Sequence, residues 1–424
     1  MAYSAVRTTG IYCRPGCGAR PLAENVRTFE LAAAAEAAGY RACLRCRPYR
    51  IAGTVADEAP ELVCRAVQLI ISGVLDESGE AALGARVGLS ARHLRRIFHE
   101  HLGVTPDQFA RSRRAHFARR LLDDSELSIA EVAFASGFGS LRQFNRAMRE
   151  IFRASPRELR ERRRHGDRLA ADGGLVLRLP YNPPYDWDAM VAFLGAHAIP
   201  GVESVEDGVY RRTISLDGDP GVLEIGPGDA DHLLLKAHLP YWEGIIHVAE
   251  RAARLVGLHS EPVLARAFLA DDPVVGPLMA ARPGVRVPGA WGPFEVAVQA
   301  VVRDHLPELA ADDVLRKLVE VHGLPVPGLG HGLTHAFPSA ETLVSANPEL
   351  VGPLTQEVAA GNVWLDGGED AEELIRSLAV VPGVSRKAAH QVAMRLGARD
   401  AWPLEGESEH LRPWRSLAAA YLLA

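Results

Sequence analysis

CRPGC at residues 13–17 and CLRC at residues 43–46 place two close pairs of cysteines near the start of the chain. Three residues separate the cysteines of the first pair and two separate those of the second. Both spacings let two sulfurs face one ion, and two such pairs supply the four ligands of a tetrahedral zinc site. The sequence therefore predicts a Zn2+ ion bound by Cys13, Cys17, Cys43 and Cys46. The simplest role for such an ion is to stabilise a small domain that lacks a large core.

The length and composition of the chain indicate how many domains it has and which class of protein it belongs to. The chain has 424 residues, which predicts several domains at roughly 100–200 residues each. Its five cysteines are too few for a disulfide scaffold. No apolar run approaches the ~20 residues of a membrane span, and no signal peptide is visible. We therefore expect a cytoplasmic protein without a membrane partner.

Charge is distributed unevenly along the chain. Residues 1–165 contain 27 arginines and 18 acidic residues, whereas the remainder contains 20 basic and 35 acidic residues. A strongly basic segment favours a polyanionic partner, and this signal is confined to the first part of the chain.

A repeat lies within that basic segment. GLSARHLRRIF at residues 88–98 matches GFGSLRQFNRAM at residues 137–148, with one residue added in the turn. Each copy has a glycine turn, a serine suited to cap a helix, and an apolar stripe, as in a helix-turn-helix. The outward faces can pair with guanine and adenine edges, which predicts DNA contacts by Arg92, His93, Arg96, Arg142, Gln143 and Arg146. The alternative is a plain helical bundle with a solvated basic face.

The rest of the chain differs from this segment in its pattern of polar and apolar residues. The stretch from Arg162 to Gly174 is polar and unpatterned, as expected of a linker. Residues 175–240 alternate as strands around a helix from Trp187 to His197, and residues 241–424 return to helices. We predict domains at 1–52, 58–165, 174–240 and 241–424. The predicted fold is therefore multidomain: a small zinc-bound α/β domain, an all-α double helix-turn-helix domain, an α+β domain and an all-α domain.

The first two domains resemble known families. The cysteine motif, with Gly10-Ile-Tyr before it and Ala38-Gly-Tyr-Arg-Ala before its second pair, resembles the N-terminal domain of the Ada family. That resemblance implies that Cys13 accepts a methyl group from a methylated DNA phosphotriester. Zinc would keep its sulfur as the nucleophilic thiolate. Residues 60–165 resemble the AraC/XylS-type DNA-binding domain.

Residues 175–424 resemble the AlkA family of 3-methyladenine DNA glycosylases. Among the matching stretches are RPGVRVPG at residues 282–289 and RPWRS at residues 412–416. The resemblance implies an AlkA N-terminal-like domain and a helix-hairpin-helix glycosylase-like domain. It also implies that a flipped base leaves beside a carboxylate, while backbone N–H groups of a hairpin at Gly383 hold a phosphate.

Three departures from that family concern these functional positions. The second hairpin glycine is Ser385, which would place a side chain where a phosphate should touch backbone. Six residues after Asp400, where the catalytic aspartate is expected, the chain has Gly406. A helix expected after that aspartate is also largely missing. Either Glu405 or Glu407 replaces the aspartate, or this half is a degenerate glycosylase; the three losses favour the second reading.

Together these observations predict a protein of the DNA alkylation-damage response. Methyl acceptance at Cys13 would be coupled to sequence-specific DNA binding and transcriptional regulation. Its expected partners are double-stranded DNA, both promoter and alkylated, and RNA polymerase, and we expect a monomer. The alternatives are an active DNA-3-methyladenine glycosylase II and a purely DNA-binding regulator with structural zinc.

Overall fold

A small sheet opens the chain. Its strands are β1 (Tyr3–Val6), β2 (Ile11–Cys13), β3 (Val26–Phe29) and β4 (Arg41–Ala42), with helix α1 (Ala32–Ala37) before the last strand. The strand order is β3-β1-β2-β4, in which β2 pairs with β4 in parallel and the other pairs are antiparallel. This α/β arrangement confirms the predicted class of the first domain.

Eight helices follow in the described part of residues 59–164: α2 (Glu61–Ile71), α3 (Val74–Glu77), α4 (Glu80–Arg86), α5 (Ala91–Leu102), α6 (Pro106–Asp124), α7 (Ile129–Ala135), α8 (Leu141–Phe152) and α9 (Pro156–Glu161). The pairs α4–α5 and α7–α8 are the two predicted helix-turn-helix units. Gly88 (φ 72°) and Gly137 (φ 78°) turn the chain between the helices of each pair in a left-handed conformation that favours glycine.

Serine and threonine caps set the starts of these helices. The Ser90 and Ser140 side chains accept hydrogen bonds from the N–H groups of His93 and Gln143, both at 3.3 Å. Helices α6 and α9 begin with reciprocal capping boxes at Thr105 and Ser155, each followed by proline. The apolar stripes behind the caps are buried, apart from a half-buried Ile97.

Backbone contacts divide the chain into two units. The first contains Met1–Asn182 and Tyr241–Glu250, and the second contains Pro183–Pro240 and Arg251–Ala424. The computed structural model describes residues 2–51, 59–164, 167–169, 173–259, 263–346, 349–365 and 371–424. The domain ends predicted at residues 52, 58 and 165 lie outside these ranges. Part of the predicted linker is packed, because Asp167 is buried and accepts a 2.6 Å hydrogen bond from Arg47.

Strands continue after the linker. The first unit includes β5 (Leu175–Pro180), and the second has α10 (Trp187–Ala196) followed by β6 (Glu203–Glu206), β7 (Val209–Leu216), β8 (Asp219–Pro227) and β9 (His232–His238). Strands β6 to β9 pair antiparallel in chain order, with Tyr210 opposite Ile225 and Leu223 opposite Ala237. All four side chains are buried, so these positions define the core face of the sheet.

The remaining described elements are mostly helices: α11 (Ile245–Leu255), α12 (Val263–Leu269), α13 (Val275–Ala281), α14 (Pro293–His305), α15 (Glu308–His322), β10 (Leu324–Pro325), β11 (His335–Ala336), α16 (Ala340–Ala346), α17 (Gly352–Ala359), α18 (Ala371–Ala379), α19 (Arg386–Arg395) and α20 (Arg415–Leu423). A two-residue pairing of β10 with β11 interrupts the predicted all-α region. Helix α14 is central, with every residue from Glu295 to Val302 buried. Among the described helices, none has both the length and the apolar character needed to cross a bilayer.

Candidate zinc centre and nucleic-acid interface

The four predicted ligand sulfurs come together at one edge of the small sheet. Cys13 ends β2, and Cys17 follows a turn through Gly16 (φ 72°). Cys43 follows β4, which pairs in parallel with β2, and Cys46 lies three residues further on. The parallel pairing brings the ends of both strands together, and all four Sγ atoms lie within 4.8 Å of one another.

The donor set fits zinc. Tetrahedral Zn–S bonds of about 2.3 Å hold sulfurs a little under 4 Å apart, and the sulfurs of this cluster, all within 4.8 Å of one another, are close enough to share one ion. Burial and the neighbouring Cys43 and Cys46 sulfurs raise the pKa of the Cys13 thiol, and burial is also the main cause that raises the pKa of Cys46 to about 12. Several thiolates therefore cannot share this space at neutral pH without a cation among them. Zn2+ is the cofactor that these residues are suited to hold.

A polar link runs from the zinc segment to the long helix α6, within the first unit. The hydroxyl of Tyr12, which precedes Cys13, donates to Glu36 at 2.7 Å. The same carboxylate oxygen lies 2.6 Å from Nε2 of His116 on α6. Burial, then the Glu36 charge, raises the pKa of Tyr12 well above its usual value, so this phenol remains a donor. The residues of this link were not predicted, because 80 positions separate Glu36 from His116.

The predicted DNA-contacting side chains lie on the exposed faces of α5 and α8. His93 and Arg96 contact each other at 3.1 Å in the first copy. In the second copy, Arg142 and Arg146 line a surface depression of about 520 Å³ together with Asn145, Arg149, Glu150 and Arg153. The sequence prediction missed Arg149, whose spacing continues the stripe of Arg142 and Arg146 along α8, and Arg153, which follows the end of this helix. Except for Glu150, the side chains around this depression are basic or amide.

The predicted glycosylase residues lie in the hairpin between α18 and α19 and in the loop that follows α19. Gly383 (φ 85°) forms the turn between α18 and α19, and its φ favours glycine. Ser385 is the N-cap of α19, and its Oγ accepts a 3.0 Å hydrogen bond from the N–H of Ala388. The hydroxyl thus turns back to its own helix, and the prediction that this side chain lies where a phosphate should touch the backbone stays a prediction.

The loop after α19 leaves the carboxylates of its two glutamates exposed to solvent. Glu405, Gly406 and Glu407 are all exposed, and Gly406 has φ 94°. Asp400 forms ion pairs with Arg412 at 2.6 Å and with Arg415 at 2.8 Å. The Glu405 carboxylate thus lacks the dry surroundings in which a charge stabilises a transition state strongly.

A four-cysteine metal site joined to two helix-turn-helix units defines a metal-binding protein of the helix-turn-helix class. Family models match three parts of the chain: the metal binding domain of Ada at residues 1–49, a helix-turn-helix domain at residues 83–162, and the AlkA N-terminal domain at residues 176–292.

Comparison with similar proteins covers nearly the whole chain. The chain is 34% identical to the "Probable bifunctional transcriptional activator/DNA repair enzyme AlkA" of Mycobacterium tuberculosis, covering 99% of this chain and 91% of that protein. It is 27% identical to DNA-3-methyladenine glycosylase 2 of Escherichia coli, over 58% of this chain and 95% of that protein. It is 33% identical to the Escherichia coli bifunctional transcriptional activator/DNA repair enzyme Ada, over 37% of this chain and 43% of that protein. The chain belongs to the family of bifunctional transcriptional activator/DNA repair proteins that joins Ada-type, AraC-type and AlkA-type domains.

Proposed function

We propose that this protein detects DNA alkylation by accepting a methyl group at Cys13 and responds through sequence-specific DNA binding and transcriptional regulation. The observation that carries the proposal is the four-sulfur cluster at the end of β2, in the same unit as both helix-turn-helix pairs. The thiolate of Cys13 attacks the methyl carbon of a phosphotriester, so that an S–C bond forms as the C–O bond breaks. The leaving group is the repaired phosphodiester anion, which needs no general acid.

A change of charge connects this step to DNA binding. A zinc ion with four thiolates carries two negative charges, and conversion of one thiolate to a thioether removes one of them. Repulsion between the site and DNA phosphates then falls, which favours binding by the basic first unit.

Mass spectrometry of the protein after exposure to DNA with methylated phosphates tests the proposal. We expect the Cys13 peptide to gain one methyl group in place of one hydrogen, while the Cys64 peptide stays unchanged. Cys13 is the least exposed of the four ligands, at 6%. A methyl group on Cys17, Cys43 or Cys46 instead would assign a different acceptor, and no adduct at all would favour a regulator with structural zinc only.

Base excision by the second unit is the alternative activity. The hairpin at Gly383 supports it, whereas Gly406 at the aspartate position and the exposure of Glu405 weigh against it. We expect release of 3-methyladenine from alkylated duplex DNA to be weak or absent. Release at a rate usual for glycosylases that is abolished by Glu405→Gln would instead assign the catalytic carboxylate to Glu405.

The remaining assignments belong to the same proposal. Domains at 1–52, 58–165, 174–240 and 241–424, a monomeric state, a cytoplasmic location and contact with RNA polymerase are consistent with a DNA-bound activator. Promoter DNA would contact Arg92, His93, Arg96, Arg142, Gln143 and Arg146.

A further inference from the structure

Helix α8, which carries the arginine stripe, ends against the segment that carries the cysteines. Its last residue, Phe152, is buried and meets the ring of Tyr49 edge-on, with the ring centroids 5.7 Å apart. Tyr49 lies three residues after the ligand Cys46. Arg153, the next residue after the helix, donates a 3.3 Å hydrogen bond to the carbonyl of Gly39. The second recognition helix therefore packs on the cysteine segment itself.

His116 reaches the same place from the long helix α6. Its ring centroid lies 5.9 Å from that of Phe152. Its Nε2 lies 2.6 Å from the Glu36 carboxylate and 3.2 Å from the hydroxyl of Tyr12, which immediately precedes the ligand Cys13. The Tyr12 side chain is buried, and that of Glu36 is only 6% exposed. The end of α8 is thus connected to both cysteine pairs.

The three polar groups of this link depend on one another. One oxygen of Glu36 contacts both the Tyr12 hydroxyl and the His116 ring, while its Oε2 is buried and has no hydrogen-bond partner in the described part of the chain. A buried carboxylate that is only half satisfied stabilises a fold poorly, so stability alone does not account for it. A buried donor that loses its acceptor is costly, so Glu36 ties the position of β2 to that of α6.

We propose that zinc binding at the cysteines fixes the end of α8 through the link of Tyr12, Glu36 and His116, so that zinc and DNA bind cooperatively. A metal ion at Cys13 fixes the end of β2, the link ties His116 to that position, and Phe152 ties the basic helix to His116. The three residues of the link are positioning residues, because none of them supplies a ligand sulfur. The proposal rests on the DNA-binding part of the proposed function and does not require methyl acceptance at Cys13.

This coupling has a sign that charge alone does not give. Coupling between two binding sites is reciprocal, so if zinc favours DNA binding by ordering α8, DNA raises the zinc affinity by the same factor. The charges act in the opposite direction, because a zinc ion with four thiolates is negative and DNA phosphates repel it. A rise in zinc affinity on DNA binding therefore indicates the link, and a fall indicates repulsion.

Zinc affinity with and without DNA tests the proposal. The zinc-loaded full chain is titrated with a colorimetric chelator, once alone and once with an excess of a duplex of mixed sequence. We expect the duplex to raise the zinc affinity of the unaltered protein at least about fivefold, and this gain to fall at least about threefold in Tyr12→Phe and in His116→Phe. Both substitutions keep an aromatic ring, so the packing around Phe152 is retained.

Two comparisons separate coupling from general damage to the fold. Tyr40→Phe is the matched control, because it removes a hydroxyl from the same segment, where the ring packs on Phe29 at 5.7 Å. It should keep the full gain. The double variant of Tyr12 and His116 should lose no more of the gain than either single variant, because both substitutions interrupt one link. Circular dichroism and zinc content without DNA establish that each variant is folded and loaded.

The outcomes are distinct from those of methyl transfer. A full gain in both single variants, additive losses in the double variant, or a fall in zinc affinity when DNA binds the unaltered protein would each overturn the coupling. Should His116→Phe fail to fold, Tyr12→Phe, which removes a single oxygen atom, decides the question. A protein that shows the gain but accepts no methyl group at Cys13 would overturn the methyl-acceptor function alone.

Discussion

Two backbone N–H groups donate hydrogen bonds to the sulfur of Cys43 and affect the pKa of its thiol. Burial raises the pKa of its thiol, but hydrogen bonds from the N–H groups of Cys46 and Arg45 and from the side chains of Cys46 and Cys13 together lower the pKa below its usual value. Of the cysteines that show a shift, Cys13 and Cys46 change in the opposite direction. Among these three cysteines, Cys43 is therefore the one whose surroundings favour the thiolate.

Replacement of this residue should release the metal. We expect Cys43→Ser to lose most of its bound zinc, because a serine hydroxyl is a far poorer zinc ligand than a thiolate. Cys64→Ser is the matched control. Its sulfur lies outside the cluster and donates to the Ala59 carbonyl at 3.3 Å, a bond that a hydroxyl can also make. Metal analysis of both purified variants measures the effect, and full zinc retention in Cys43→Ser would contradict the four-ligand site.

Local spacing explains which site residues the sequence could predict. Each cysteine pair lies within five residues, so one turn determines how its two sulfurs meet. The contact of Glu36 with His116 depends on how α1 packs against α6, and no local pattern encodes it. The cap at Ser385 is also local, because serine is favoured at a helix start and its Oγ accepts from a backbone N–H three residues on.

At the scale of elements, the two helix-turn-helix copies share caps and buried stripes but differ on their outer faces. The first exposes Arg92, His93 and Arg96, and its Arg95 is paired with Glu80. The second carries the longer arginine stripe along α8. Arg146 is 68% exposed and lies 3.7 Å from Glu150, a pair that contributes little and leaves the guanidinium available.

Truncation of this stripe should weaken DNA binding in a salt-dependent way. For Arg146→Ala we expect lower affinity and a slope of log affinity against log salt reduced by about one unit, as for one lost phosphate contact. Arg316→Ala on α15, where the arginine is 46% exposed and paired with Asp313, is the control. Titration of operator DNA at several salt concentrations measures both variants. An unchanged slope and affinity for Arg146→Ala would place the phosphate contacts elsewhere.

Elements with strong periodic signals were predicted, and short ones were missed. The helix-turn-helix pairs were visible because glycine, serine caps and apolar spacing agree at each position. Strands β7 and β9 alternate over seven or eight residues and were also predicted. Strands β1 and β4, with four and two residues, have no room for a periodic pattern, and their pairing with β2 determines them.

At the scale of a whole unit, buried ion pairs join distant parts of the chain. Arg50, at the end of the zinc segment, contacts Asp124 on α6 at 2.7 Å. Arg178 on β5 contacts the same carboxylate at 2.8 Å. Burial raises the pKa of Asp124, an effect that the two arginines oppose, so the charged carboxylate depends on both partners. These ion pairs thus help to hold the first unit together, and no sequence pattern could have predicted which charges would meet.

Removal of this carboxylate should destabilise the first unit strongly. The Asp124 side chain is 2% exposed, and Asp124→Ala would take from Arg178 the carboxylate that it contacts and leave Arg50 only the longer contacts with Asp123 at 3.3 Å and Asp167 at 3.5 Å. We expect a loss of about 3–5 kcal/mol in the free energy of unfolding, as for a buried pair that loses one member.

The matched control is Asp313→Ala, since Asp313 is 64% exposed and its pair with Arg316 lies at the surface, where ion pairs contribute roughly 0–1 kcal/mol. Urea unfolding followed by circular dichroism, with zinc present throughout, measures both variants. Equal, small losses in the two variants would show that solvent replaces Asp124 without cost, and that apolar packing alone joins the zinc segment to α6.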